Sequence, residues 1–146
     1  MDFLTALDVA ASGLGAQRSH LNVISMNLAN INTTRTVEGG PYVRKSVVME
    51  TSDVYSPFAT EMWNQNNREL KGVKVVGIVN DQRPFRMVFD PGHPDANEEG
   101  YVRFPDINVV EEMANMITSM RSYEAGAAAI ESAKTMYNKA LLIGQG

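Results

Sequence analysis

Asn108-Val109-Val110-Glu111-Glu112-Met113-Ala114-Asn115-Met116-Ile117-Thr118-Ser119-Met120-Arg121-Ser122-Tyr123 opens the last 39 residues of the chain and sets their period. From Val109 the series Met113, Met116, Met120, Tyr123, Ala127, Ile130, Lys134, Tyr137 and Leu141 steps by four and three without a slip, and only Lys134 is not apolar. Such spacing lays one narrow apolar seam along a helix, suited to a partner helix. Asn108 followed three residues later by Glu111 has the spacing of a capping box. Glu111 and Glu112 fall in the first turn, where the helix dipole favours negative charge, and Gly144 is a natural stop. A helix over 108–146 follows.

The first 31 residues repeat the design less strictly. Leu7, Leu14, Leu21 and Leu28 recur every seven, with Phe3, Ala10, Ile24 and Ile31 in the companion positions and Gln17 as the polar exception. Gly13 and Gly15 interrupt the run, each at about 1 kcal/mol against alanine. They either allow a neighbouring backbone to approach or are simply tolerated.

Between the helices, residues 35–107 read as a β-rich middle. Val73–Val79 and Phe85–Phe89 have strand composition and are joined by the turn-rich Asn80-Asp81-Gln82-Arg83-Pro84. Phe85, Met87 and Phe89 are expected on one strand face, with Arg86 on the other. Tyr42–Glu50, entered through Gly39-Gly40-Pro41, is a third candidate strand, and Tyr101–Phe104 a short fourth. The segment 52–70, with Trp63 among Asn64, Gln65, Asn66 and Asn67, is expected to be an exposed loop. The fold class is α+β: terminal helices, 1–34 and 108–146, packed as an antiparallel coiled-coil-like pair around a small β-rich region.

Composition narrows the function. Of 146 residues 44% are apolar, enough for a core. The formal charge of -4 argues against nucleic acid or anionic lipid as a main partner. There are no cysteines, which excludes thiol catalysis, Cys-based metal sites and disulfides. The start lacks a basic n-region, since Arg18 is the first cation, and no apolar run has signal-peptide length. Any exit from the cytoplasm is therefore expected to avoid a cleavable signal.

Geometry adds a reason to assemble. A helix of about 34 residues is roughly 50 Å long, whereas a compact middle of about 76 residues is about 30 Å across. Two helices paired alone have little protected core, and most helical stability comes from packing. The terminal helices are therefore expected to be loose in a free subunit and to order among neighbours.

Met26-Asn27-Leu28-Ala29-Asn30-Ile31-Asn32-Thr33-Thr34 resembles the N-terminal signature of bacterial flagellar axial proteins, the rod and hook family. Asp90-Pro91-Gly92-His93-Pro94-Asp95-Ala96-Asn97-Glu98-Glu99-Gly100-Tyr101-Val102 is more particular; with Pro105, Asn108, Glu111-Glu112-Met113, Arg121-Ser122-Tyr123 and Gly39-Gly40-Pro41-Tyr42, it is similar to the proximal-rod branch. The likeness covers nearly the whole chain and is weakest over 52–70. Where members usually carry Asn after Arg121-Ser122-Tyr123, this chain reads Glu124-Ala125-Gly126, a departure expected to touch only a helix surface. The resemblance implies a structural subunit of the basal-body rod, exported by the flagellar type III export apparatus and polymerised in the periplasm into a helical tube that transmits torque. It implies as partners further copies of the chain, other rod proteins and the inner-membrane ring.

Candidate chemistry is sparse. Asn27, Asn30 and Asn32 either bond to a neighbour's backbone or cap their own chain. Asp95-Ala96-Asn97-Glu98-Glu99-Gly100 mimics a calcium loop but lacks the bidentate glutamate and is flanked by Pro94 and Pro105, so it reads as an acidic turn. His20 and His93 have no second ligand at metal spacing; His93, between prolines, reads as a turn residue. No phosphate loop, nucleophile elbow or HExxH is present, so no enzyme, cofactor, metal or small-molecule substrate is expected. Met113, Met116 and Met120 read as seam residues rather than an adaptable binding face. The expected assembly interface is Leu7, Leu14, Leu21, Ile24, Asn27, Leu28 and Asn30 on the first helix, and Met113, Met116, Met120, Tyr123, Ile130, Tyr137 and Leu141 on the second. The competing reading is a cytoplasmic coiled-coil adaptor that binds one partner helix without polymerising.

Overall fold

The computed structural model describes residues 3–53 and 71–144. The expected loop over 52–70 thus lies almost entirely outside the described residues. The elements are α1 (Phe3–Ala29), β1 (Lys45–Asp53), β2 (Lys71–Asn80), β3 (Arg86–Phe89), β4 (Tyr101–Phe104) and α2 (Val109–Gly144). This is the expected α+β order, a long helix at each end with small strands between.

α1 stops at Ala29 because Asn30 turns the chain. Its Nδ2 donates to the Met26 carbonyl at 2.8 Å, and its Oδ1 accepts from the Thr33 hydroxyl at 3.2 Å. Here the asparagine caps its own chain. A tight return to β1 follows, in which the Thr36 amide donates to the Gly40 carbonyl at 2.8 Å and the Tyr42 amide to the Thr33 carbonyl at 3.0 Å. Gly39 and Gly40 both take positive φ there, 89° and 78°, a region that suits glycine. At the other end, Asn108 Oδ1 accepts the Val110 amide at 3.0 Å and the Glu111 amide at 3.4 Å, the expected helix cap.

The strands form where expected but pair differently. Val73–Val79 and Phe85–Phe89 do not make a hairpin with each other: β1 pairs with β2, and β3 pairs with β4. The β3–β4 ladder is antiparallel, with Arg86 opposite Phe104, Met87 opposite Arg103, Val88 opposite Val102 and Phe89 opposite Tyr101. The Asn80–Pro84 link is occupied elsewhere, for the Asp81 amide donates to the Arg44 carbonyl at 2.7 Å. Within β3 the expected apolar face is the open one: Met87 and Phe89 are exposed, and it is Val88 that lies against buried Val102.

The chain divides into two compact units, one of Met1–Ser19, Met49–Val76 and Ser119–Gly146, the other of His20–Val48 and Gly77–Thr118. The second has an apolar centre in which Val23, Ile24, Tyr42, Val102, Pro105 and Ile107 are buried. In the first, the buried side chains among the described residues are small: Thr5, Ala16 and Ser119. Burial of a large apolar side chain yields about 1.5–3 kcal/mol, so among the described residues the second unit has that contribution and the first gains little of it.

Candidate functional site

In the second unit a polar relay joins both helices to the strands. Asn27, on the last turn of α1, is 1% exposed. Its Oδ1 accepts from the Lys45 amide at 2.9 Å and the Tyr42 hydroxyl at 3.0 Å; its Nδ2 donates to the Lys45 carbonyl at 2.9 Å and to Glu112 Oε2 at 3.3 Å. Two donors and two acceptor sites are the whole capacity of the amide. Asn27 is therefore neither a local cap nor free to bond elsewhere.

Glu112, also 1% exposed, lies one turn into α2. Its Oε1 accepts from Arg44 Nε at 2.8 Å and Nη2 at 2.6 Å. Arg44 Nη1 donates in turn to Asp81 Oδ2 at 3.1 Å and to the Ser46 hydroxyl at 2.9 Å. Asp81 also accepts from Arg83 Nε at 3.2 Å, and Arg83 reaches Glu111 at 3.5 Å. A carboxylate taken out of water costs several kcal/mol unless paired and hydrogen-bonded, and Glu112 meets both conditions. Burial, and secondarily the charge of Glu112, pushes the Tyr42 phenol above its usual range. Hydrogen bonding to Glu111, with the charges of Glu111 and Asp81, holds the Arg83 guanidinium higher still than its ordinary value.

The loop from Asp90 to Gly100 is a closed turn within this unit. The Asp90 amide donates to the Gly100 carbonyl at 2.9 Å, and Asn97 Oδ1 accepts the Glu99 and Tyr101 amides at 3.1 and 2.7 Å. Asp95 accepts from the Thr34 hydroxyl at 2.8 Å. His93 Nδ1 accepts the Asp95 amide at 3.1 Å while its ring meets Phe104 edge-on, a turn residue as expected. Gly100 has φ +82°, and a Cβ there would lie 2.9 Å from the Phe89 ring.

Along α2 the inward stripe is Glu112, Met116, Ser119, Gly126, Ile130 and Ala133. It shares Met116 and Ile130 with the expected seam but is displaced from the rest by one residue. Met113, Met120, Tyr123, Tyr137 and Leu141 are exposed, joined by Val110, Ile117, Leu142 and Ile143. In α1, Ile24 is buried, while Leu7, Leu14, Leu21 and Leu28 are half-buried. Gly126, expected on a helix surface, lies under Leu14 in the first unit: a Cβ added there would be 3.0 Å from Leu14 Cδ2. Gly13 and Gly15 have nothing within 4 Å of such a Cβ, so neither accommodates a close approach within the described chain.

Residues 7–35 match the family described as flagella basal body rod protein, and residues 98–142 the family described as flagellar basal body rod FlgEFG protein C-terminal. Among curated relatives, the flagellar basal-body rod protein FlgC of Borreliella burgdorferi is 40% identical over 100% of both chains. Those of Bacillus subtilis and Salmonella typhimurium are 41% and 37% identical, covering 96% and 99% of this chain and 97% and 100% of their own. The chain belongs to the FlgC family of flagellar basal-body rod proteins.

The two family patterns fall on the parts the relay connects. The N-terminal match carries Asn27 and ends at Arg35; the C-terminal match carries Glu112 and runs into the exposed stripe of α2. Sequence reading found Asn27 and Asn30 but missed Tyr42, Arg44, Asp81 and Glu112 as parts of one constellation. Glu112 looked like a dipole partner of the first turn; the signal that it turns inward is the heptad Glu112, Ser119, Gly126, Ala133, all small or polar. Among the described residues no cluster of three His, Asp or Glu is placed to hold a metal, and no helix is long and apolar enough to cross a membrane.

Proposed function

We propose that this FlgC-family chain is a non-enzymatic building block of the flagellar rod that polymerises with further copies and with other rod proteins through its terminal helices, making a tube that carries torque. The observation that supports this is the inversion of α2: small and polar residues face inward, while Met120, Tyr123, Leu141, Leu142 and Ile143 face out along the first unit. Each side chain of this size gains about 1.5–3 kcal/mol when covered. Many shallow apolar contacts also suit a joint that must stay rigid under load. Full-length likeness to FlgC chains disfavours the adaptor reading. Export through the flagellar type III apparatus and contact with the inner-membrane ring complete the proposal, as does a periplasmic location.

Met120→Asp tests it, because Met120 is 48% exposed and its replacement leaves the interior untouched. Loss of swimming, with the variant missing from purified basal bodies although stably produced, is expected. Normal motility would refute the helical interface. Amide exchange on free subunit offers a second check: residues 3–19 should exchange freely, while Val102 and its β3 partners stay protected.

A further inference from the structure

The second unit carries a cleft of about 510 Å³ that the helical assembly reading leaves without a role. Its walls come from three places: Thr34 and Arg35 after α1, Pro41 in the return to β1, and Asp95, Tyr101 and Arg103 from the β3–β4 turn and strand. Arg35 and Arg103 are both exposed, and among the described residues neither makes an ion pair. In the same unit Arg44 and Arg83 are instead each bound to two carboxylates, while Arg86 on β3 is, like these two, exposed and without an ion pair among the described residues. The one carboxylate in the cleft, Asp95, is engaged by the Thr34 hydroxyl.

We infer that this cleft binds an extended acidic peptide segment of a partner protein. Three observations carry the assignment. Two open guanidinium forks match carboxylates in a planar, bidentate way that no ammonium group reproduces. Arginine, tyrosine and methionine, here Arg35, Arg103, Tyr101 and Met87, are residue types enriched at protein interfaces. Third, the wall is main chain as well as side chain. Among the described residues, the amide and carbonyl of Arg35 enter no backbone hydrogen bond, and β4 pairs with β3 on one edge while Asn97 holds the amide and carbonyl of Tyr101, which leaves the other edge open only beyond Tyr101. Open backbone beside a cleft is what an added strand uses, with side-chain pockets supplying specificity. That favours a peptide over a glycan, which has no matching ladder of amides. The volume lies within the roughly 300–1,000 Å³ range of small-ligand sites, so it takes a few residues rather than a domain.

Fluorescence anisotropy with the full-length chain and a labelled hexapeptide of alternating glutamate and valine is the test. Binding should weaken as salt rises, and the R35Q/R103Q double variant should bind about tenfold or more weakly, as expected when charge-assisted bonds are lost. D95N removes the opposing charge and should tighten binding by about two- to fivefold, a gain no merely structural role would produce. Arg35 and Arg103 are exposed, and D95N keeps an oxygen to accept the Thr34 hydroxyl, so far-ultraviolet dichroism should show both variants folded like the parent. The inference is overturned if a glutamine–valine peptide binds equally well, if the double variant binds like the parent, or if a chitin oligosaccharide binds where the acidic peptide does not. None of these results bears on Met120→Asp, so this proposal and the helical-assembly reading fail separately.

Discussion

Glu112→Ala tests the polar relay most directly. The carboxylate accepts two short bonds from Arg44 and one longer bond from Asn27, and it is 1% exposed. Removing one partner of a buried ion pair costs about 3–5 kcal/mol when the survivor is left unpaired. Arg44 is not left so: its Nη1 keeps Asp81 at 3.1 Å and Ser46 at 2.9 Å. That places the charge loss below that range, at about 2 kcal/mol. The one missing methylene adds about 0.8 kcal/mol in lost burial, giving a total of about 3 kcal/mol. In urea denaturation followed by far-ultraviolet dichroism, Glu112→Ala should lower the midpoint with an unchanged slope. Arg44→Met should do the same, and the R44M/E112A double variant should lose less than the two single changes together, by about 1 kcal/mol or more. If Glu112→Ala melts with the parent, or if the cycle is additive, the relay is not what fastens the start of α2 to the end of α1.

Gly100→Ala meets two obstacles, a φ of +82° and a Cβ 2.9 Å from the Phe89 ring; about 2–4 kcal/mol of destabilisation is expected, read as a lower urea midpoint. Tyr42→Phe removes the hydroxyl that donates to Asn27 at 3.0 Å and should cost about 1 kcal/mol at neutral pH. The Tyr42 phenol is raised in the fold by burial and then by Glu112, so the unfolded chain gives up this proton first as pH rises above about 10. Stability from the hydroxyl is therefore complete below that value and drains away as pH climbs through the native pKa. Parent and Tyr42→Phe should converge in midpoint at alkaline pH; a gap that widens there would contradict the assignment.

Much of the fold was legible because both helices carry their own caps and periods. Asn108 bonds the amides it was expected to bond, Asn30 turns the chain at the end of α1, and α2 runs to Gly144. Strand composition placed β1 to β4 within a few residues. Strand pairing was not legible. The short Asn80–Pro84 link looks like a hairpin turn, yet Asp81 spends its amide on Arg44 and its carboxylate on two arginines. Tertiary partners outside the link decided the matter, and nothing local announces them. The relay was hidden for the same reason, since Asn27 and Glu112 are 85 residues apart.

The phase of the helices carries the deeper lesson. A sequence with a clean apolar heptad invites the reading that this stripe is the inside. In α2 the stripe turned inward is instead built on Glu112, Ser119, Gly126 and Ala133, also a heptad, of residues too short or too polar to register as hydrophobic, with Met116 and Ile130 as its two large apolar members. Short side chains let another surface come close, as Leu14 does over Gly126, but they contribute little apolar burial. Most of the large residues, Met113, Met120, Tyr123, Tyr137 and Leu141 among them, lie on the adjoining face and are left in water at a standing cost in free energy. A monomer selected for its own stability would rotate the helix by one residue and bury the methionines. Keeping them outside makes sense where the native state is a packed array, in which each copy's exposed stripe becomes interior. If the chain assembles as proposed, the heptad seen first in the sequence records contacts between molecules, and the quieter one beside it records the fold of the single chain.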